Sequence, residues 1–324
     1  MSGPDQQPPA TADDQPDHQP HEAREVPGLG VVRPLAGGWS GRVFAADLAG
    51  ETSVVRVHDP DDVQGPATTA AALRLAAGAG VPGVPDVLEV RAGDPAVGAP
   101  GLLVTRMLPG RRGDLVLPTL DDAALDAVSE QLVEVLEQLA GVRMLRAGVF
   151  LDADLTVGPL PAPFDDGLLA QLEAQLAPQA ARLGLDGRTL DRLRARCREA
   201  QDVLDDEPDA PHGPGVRGAC LVHSDLNPKN LLLDGDRLTG VLDWEFAHAG
   251  SRWTDVGNLL RFAEQPAYVD GLVDRLARRR GSDPADVRHL ARCADLTALV
   301  DLASRAGSNP VADRALDLLR EQEI

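Results

Sequence analysis

Three oxygen-bearing side chains stand at a spacing that suits phosphoryl transfer. Asp225 closes the string His223-Ser224-Asp225, Asn230 follows five residues later, and Asp243 comes thirteen residues after that. An acid on a loop can orient an acceptor hydroxyl and take its proton. Magnesium, a hard cation, takes only one or two protein oxygens and completes its octahedron with phosphates and water. The Asn230 amide oxygen and the Asp243 carboxylate meet the second need, which leaves Asp225 for the first. Any one of the three alone reads as a loop cap or a strand end. The set at this spacing points to chemistry.

The elements that must position these residues are legible around them. Leu231-Leu232-Leu233 and residues 238–242 flank Asp234-Gly235-Asp236-Arg237, a strand–turn–strand hairpin with an Asp-Gly turn. Asn230 lies just before one strand and Asp243 just after its partner, so pairing brings the two together at the open end of the hairpin. The short apolar run Cys220-Leu221-Val222 delivers the chain into the acid-bearing loop. Upstream, residues 31–35, 42–48 and 52–58 read as strands. The first two are separated by Gly37-Gly38-Trp39-Ser40-Gly41, a small-residue turn that could lie over phosphates because glycine allows close backbone approach. No Gly-Lys-Ser or Gly-Lys-Thr follows, so this is not a Walker A loop. Arg56 shares a strand face with Val54 and His58. A cation there either pairs with an acid or meets a ligand anion.

A helix is expected over 67–78, strands over 84–90 and 101–107, and a hinge at Pro109-Gly110. Helices then follow over 119–141, with Leu125, Val128, Leu132, Val135, Leu136 and Leu139 on one face, and over 165–183 and 189–204. A polar loop spans 205–218. After the central stretch, helices are expected at 267–280, 284–306 and from 310 onward. The reading is an α+β protein with a small β-rich N-lobe over 28–108, nucleotide-binding, and a larger helical C-lobe over 109–324 that carries the catalytic loop and acceptor site.

The formal charge of −20 disfavours nucleic acid and anionic membranes as partners and favours a cationic small molecule. Cys197, Cys220 and Cys293 have no metal-ligand spacing and fit a reduced, cytoplasmic setting. Residues 1–27 contain no Leu, Ile, Phe, Tyr or Trp and are expected to be a disordered acidic, Pro-rich tail. There is no basic-plus-apolar leader and no apolar run long enough to span a bilayer.

The string from His223 to Asn230, HSDLNPKN, followed by Leu242-Asp243-Trp244-Glu245, resembles the aminoglycoside phosphotransferase/choline kinase family. The resemblance extends over about residues 31–262 and implies a protein-kinase-like two-lobe fold. It implies that Asp225 is the catalytic base, that Asn230 and Asp243 bind Mg2+, and that Arg56 holds the phosphates of ATP or GTP. It further implies that Gly37, Gly38 and Ser40 cover the nucleotide, that main-chain groups at Arg106 and Met107 meet the base, and that His223 and Asp255 support the loop. The function implied is transfer of the γ-phosphate to a hydroxyl of an aminoglycoside-like or other small acceptor. Alternatives are a metabolite kinase of choline or homoserine type and a nucleotide-binding pseudokinase or scaffold. A protein kinase is disfavoured, since no D-F-G…A-P-E segment is present. Three departures stand out: Ser224 replaces a common glycine, Arg56 replaces a common lysine, and Ala67-Thr68-Thr69-Ala70-Ala71 lacks the acid that usually pairs with that cation. Lys229, between Asp225 and Asn230, could reach a transferring phosphate or be an ordinary exposed lysine. Glu245, His248, Arg252 and Trp253 are near enough in sequence to line the acceptor pocket.

Overall fold

The computed structural model describes residues 24–26, 30–35, 42–48, 50–207 and 218–321. The first sheet is built from β1 (Arg24–Val26), β2 (Gly30–Pro34), β3 (Val43–Leu48), β4 (Glu51–His58), β5 (Val87–Arg91) and β6 (Gly101–Arg106), in the order β1-β2-β3-β4-β6-β5 and antiparallel throughout. Alternation along the strands buries Val32, Ala46, Val55, Leu102 and Val104 in one small core. The opposite face of β4 therefore turns Val54 and Arg56 toward the neighbouring cleft. Helix α1 (Gly65–Gly78) is inserted between β4 and β5, its first turn held by the Asp62 carboxylate, which accepts the Gly65 N–H at 2.9 Å. Arg24–Val26 belongs to the stretch expected to be a disordered tail, but it pairs with β2 as an edge strand. Residues 1–23 lie outside the described residues.

The chain leaves β6 through Met107-Leu108-Pro109-Gly110 and immediately joins the Asp-Gly hairpin. Strand β7 (Arg111–Arg112) pairs with the hairpin's first strand, and Thr239 Oγ1 donates to the Pro109 carbonyl at 2.6 Å. Gly110 has φ +116, and a Cβ there would lie 2.5 Å from Thr239 Oγ1, so this position requires glycine. The expected hinge is thus stitched to the site it leads to.

Helix α2 (Gly113–Val116) and the long α3 (Asp122–Gly141) follow, the latter capped by Asp121, whose carboxylate accepts the Ala124 N–H. The expected leucine–valine stripe of α3 is buried throughout. It forms the main core with the Asp-Gly hairpin and with Trp253, Val256, Leu272 and Leu276 from two later helices. After β8 (Gly148–Val149) the helix expected over 165–183 is not continuous. Phe164–Asp166 is a 3-10 turn, α4 spans Leu168–Gln171, Leu172–Leu176 is a π turn, and Ala177–Gln179 is again 3-10. Gly167 at φ +90 breaks the first junction, and Pro178, which has no N–H, breaks the last. Leu168, Leu172 and Leu176 stay buried on one side, which is why the apolar period survives although the hydrogen bonding changes.

Helix α5 (Gly187–Asp206), capped by Asp186, packs with two later helices in a second core. The rest of the chain comprises β9 (Cys220–Val222), β10 (Leu231–Asp234), β11 (Arg237–Val241), β12 (His248–Gly250), α6 (Trp253–Leu260), α7 (Pro266–Arg280), α8 (Pro284–Ser304) and α9 (Pro310–Glu321). Strands β8, β12 and β9 make a small sheet that the sequence did not signal. All three cysteines are buried. Among the described residues no helix is long and apolar enough to cross a membrane.

Candidate active site

The acid-bearing loop starts where β9 ends, and it is gripped from below by α6. Asp255, in the first turn of α6 and 1% exposed, accepts the backbone N–H of His223 and of Ser224, each at 2.8 Å. One turn further along α6, Asn258 Nδ2 donates to the Ser224 carbonyl at 2.7 Å. The Ser224 peptide is thereby fixed on both sides, which sustains its left-handed backbone at φ +72. This explains the glycine that the resemblance leads one to expect there.

His223 is fully buried, and its ring joins two loops. Nδ1 accepts the Asp225 N–H at 3.3 Å, so the proton sits on Nε2, which donates to the Leu242 carbonyl at 2.8 Å. Burial pushes its pKa down and keeps it neutral. Its edge packs on Trp244, centroids 4.7 Å apart. Its two ring nitrogens are thus both engaged with backbone, one on each loop.

Asp225 is held by two asparagines. Oδ1 accepts from Asn227 Nδ2 and Oδ2 from Asn230 Nδ2, both at 2.7 Å. Burial raises its pKa above the ordinary aspartate value, against the two amide donors and the more distant Arg261. A carboxylate made more basic in this way, yet still hydrogen-bonded in its charged form, is suited to accept a hydroxyl proton. Asn230 also donates to the Asp225 carbonyl at 2.8 Å. Its amide nitrogen is thus committed, and its Oδ1 is left as the acceptor.

The hairpin brings Asn230 and Asp243 together as expected: the Leu242 N–H donates to the Asn230 carbonyl at 2.7 Å, closing the open end. The Asp-Gly turn at its other end has Gly235 at φ +63. The turn is clamped by Gln131 of α3, which donates to the Asp236 carbonyl and accepts the Leu238 N–H. Asp243 itself is left-handed at φ +69. With Ser224, two of the three non-glycine residues of positive φ among the described residues flank the site.

Arg56 reaches this end of the hairpin from β4. Its Nη2 pairs with Asp243 Oδ1, and its Nη1 with Glu245 Oε2 at 2.5 Å. Burial opposes its charge, but the two acids outweigh burial and raise its pKa further. The sequence showed only that the usual helix acid was missing. The acids that replace it lie 187 and 189 residues away.

An oxygen pair from Asn230 and Asp243 is the hard, low-count donor set that Mg2+ accepts, with the remaining positions left to phosphates and water, so the residues fit that ion. Among the described residues no cluster of three or more His, Cys, Asp or Glu offers a rival metal site.

These groups face a cleft of about 1900 Å3. Leu35, Val54, Leu103, Leu232 and Leu242 give it an apolar side. Arg106 and Met107 line it, but their N–H groups donate to the Asp86 and Thr52 carbonyls at 2.9 and 3.3 Å, and the Arg106 side chain pairs with Glu51 and Asp86. Lys229 is exposed in the cleft. Gly37, Gly38 and Ser40 lie outside the described residues. Of the four expected acceptor-side residues, Glu245 and His248 line the cleft, Arg252 pairs with Glu137 at 2.5 Å, and Trp253 is core.

A buried ion pair behind α6 was not foreseen. Arg261 Nη2 donates to Asp295 Oδ1 at 2.6 Å and also to Asn258 Oδ1, with both charged side chains 6% exposed. The 34-residue separation leaves no sequence signal for it. Asn258, one helical turn from Asp255 on the same face, could have been found by spacing.

A two-lobed α+β phosphotransferase is the class that this fold and site define. The profile of the phosphotransferase enzyme family matches residues 31–292, and the chain belongs to that family. It is a phosphotransferase with an alcohol group as acceptor. No curated protein sequence matches it. Among solved structures it is similar to aminoglycoside 2'-phosphotransferase-IIIa in its GDP complex, with 20% identity over 90% of this chain and 92% of that one and a TM-score of 0.61. It is also similar to a thermostable mutant of aminoglycoside phosphotransferase APH(4)-Ia in ternary complex with ADP and hygromycin B, with 21% identity over 89% and 93% and a TM-score of 0.58. At these identities the likeness shows the protein-kinase-like fold alone.

Proposed function

We propose that the chain transfers the γ-phosphate of ATP or GTP, with Mg2+, to a hydroxyl of a cationic, aminoglycoside-like small molecule. The observation that carries this is the convergence of Asp225, Asn230, Asp243 and Arg56 on one cleft. Asp225 accepts the acceptor's hydroxyl proton, its carboxylate aimed by Asn227 and Asn230. Asn230 Oδ1 and Asp243 would hold the Mg2+, which when bound neutralises charge on the phosphates. Arg56 offers a planar fork to phosphate oxygens. Phosphoryl transfer asks mainly for positioning and charge neutralisation, and this set supplies both.

On the acceptor side Asp165 and Asp166 favour a cation, and Phe164 and Phe246 add apolar faces, Phe246 being 58% exposed, whereas Glu264 and Asp301 are already paired with Arg314 and Arg305 of the same cleft. Of the solved structures above, one is a complex with ADP and hygromycin B and the other a complex with GDP. The lobe division at 108/109 belongs to this reading and rests on Pro109-Gly110, as do nucleotide cover by Gly37, Gly38 and Ser40, base contacts at Arg106 and Met107, and work in the cytoplasm. For the base to be met by an amide, the long Met107 N–H bond to Thr52 is the one to yield.

The test incubates the protein with Mg2+, ATP or GTP and a panel of aminosugars, nucleoside antibiotics, choline and homoserine, and seeks a phosphate-sized mass gain. Gain on a polycationic aminosugar that is lost in Asp225→Ala supports the reading. Gain only on choline or homoserine would replace the acceptor class. Tight nucleotide binding with no transfer at all would favour the pseudokinase reading, which draws on Arg56 holding Asp243.

A further inference from the structure

Helix α1 has no Asp or Glu in its fourteen residues, yet it lies against the turn Trp244–Phe246 and borders the same cleft as Arg56 through Thr69 and Leu73. A carboxylate that braces Arg56 must therefore come from elsewhere. The turn supplies one: Glu245 Oε2 stands 2.5 Å from Arg56 Nη1, while the other arm of the same guanidinium is held by Asp243. The two acids are not equivalent. Asp243 is the oxygen donor paired with Asn230 at the hairpin end, so a cation bound there would compete with Arg56 for its negative charge. Glu245 has no such second duty in the geometry. Two carboxylates against one guanidinium also leave one negative charge in excess, which favours arrival of a further cation at this end of the cleft.

We infer that Glu245 is the positioning residue for Arg56, replacing from the C-lobe the acid absent from α1. When Asp243 is engaged elsewhere, Nη1 stays on Glu245 and fixes the guanidinium plane. Nη2, released from Asp243, turns to a phosphate oxygen. The planar fork makes this possible, because one arm can be anchored while the other binds; a lysine ammonium has no such division. The nucleotide cation is thus held across the cleft, from a turn of the C-lobe onto a strand of the first sheet. The inference rests on the reading of Arg56 as a phosphate-binding residue.

A double-mutant cycle tests it, with the dissociation constant of Mg·ATP measured by calorimetry for wild type, Glu245→Gln, Arg56→Met and the double variant. Glu245→Gln should weaken nucleotide about ten- to a hundredfold, the fold-change matching loss of one charge-assisted hydrogen bond. It should raise the nucleotide KM in step, leave the acceptor KM in place and keep the thermal midpoint. In the Arg56→Met background the same change should cost nothing further. An equal loss in both backgrounds, or a rise in the acceptor KM alone, would overturn the inference by showing that Glu245 acts without Arg56. A wild-type protein that binds no nucleotide would instead bring down the kinase reading beneath it, and the two failures are distinct.

Discussion

Replacing Asp255 by asparagine preserves its shape but not its acceptors, and the structure sets what that should cost. The carboxylate is 1% exposed and takes two backbone N–H groups, those of His223 and Ser224, at 2.8 Å each. An asparagine has one acceptor oxygen, and its NH2 would face the other N–H. One hydrogen bond drops from charge-assisted to neutral, a loss of about 1 kcal/mol, and one buried donor goes unsatisfied, at about 1–3 kcal/mol. Burial already raises the Asp255 pKa, so removing its charge returns part of this loss. The net expectation is about 2 kcal/mol of destabilisation. Urea unfolding should show a lower midpoint at an unchanged slope. Turnover should fall as well, because Ser224 loses one of the two anchors that hold its left-handed backbone, while nucleotide affinity should stay near wild type. A stability change below about 0.5 kcal/mol with full turnover would refute the reasoning, since it would mean the loop does not depend on these two acceptors.

Other perturbations follow from the same geometry. Asp225→Asn should cut kcat by about 10²–10⁴, the usual worth of a general base. Burial raises the Asp225 pKa, so its stabilising contribution is present below the ordinary aspartate pKa and lost as pH rises through the folded value. At pH 7 removal of the charge should offset part of the hydrogen-bond loss to Asn227 and Asn230 in the asparagine variant, and wild-type kcat should fall on acidification from a higher pH than an ordinary aspartate would set. Ser224→Gly relieves a positive φ and should raise stability by about 0.5–1 kcal/mol with kcat held within about twofold, as read by thermal melting and steady-state rates. Arg261→Met strands the buried Asp295 carboxylate and should cost about 3–5 kcal/mol in urea unfolding, whereas an exposed pair such as Arg91–Glu89 should cost under 1.

The legibility of this protein in its sequence followed the range of its interactions. The hairpin could be read because an Asp-Gly turn sits between two short apolar runs, and it placed Asn230 beside Asp243 without any partner being known. The α3 stripe could be read because six apolar residues keep one helical face. The segment 165–183 misled because Leu168, Leu172 and Leu176 keep a helical period across a backbone that changes hydrogen-bond type three times. The sheet of β8, β12 and β9 left no trace, since strands of two or three residues are too short to show alternation. Arg56 was recognised as a cation in need of a partner, but nothing local could point to acids nearly two hundred residues away. Asp255 carried meaning only through the family resemblance, because a buried acceptor for two backbone N–H groups looks in sequence like any aspartate near a helix start.

The left-handed backbones at Ser224 and Asp243 had only weak signals: a glycine expected by resemblance at 224, and at 243 an aspartate, a type that tolerates positive φ without demanding it. Each costs roughly 1–2 kcal/mol relative to an ordinary conformation, and neither would persist without neighbours that over-determine it. His223 supplies part of that constraint to both. Its Nδ1 takes the N–H of Asp225, the residue after Ser224, and its Nε2 takes a proton to the carbonyl of Leu242, the residue before Asp243. A protonated imidazole could donate to Leu242 but could no longer accept from Asp225, so the neutral state enforced by burial is what lets one ring serve both loops. The Asp225 loop and the Asp243 end of the hairpin are therefore tied to each other through one buried ring, alongside the grip of Asp255 and Asn258 on Ser224. Arg56 differs in kind. It arrives from the other sheet on a flexible side chain, is partly exposed, and holds acids that a ligand must share with it. On the proposed function, the architecture would divide the work between side chains held in place in advance and a cation whose partners change when nucleotide binds.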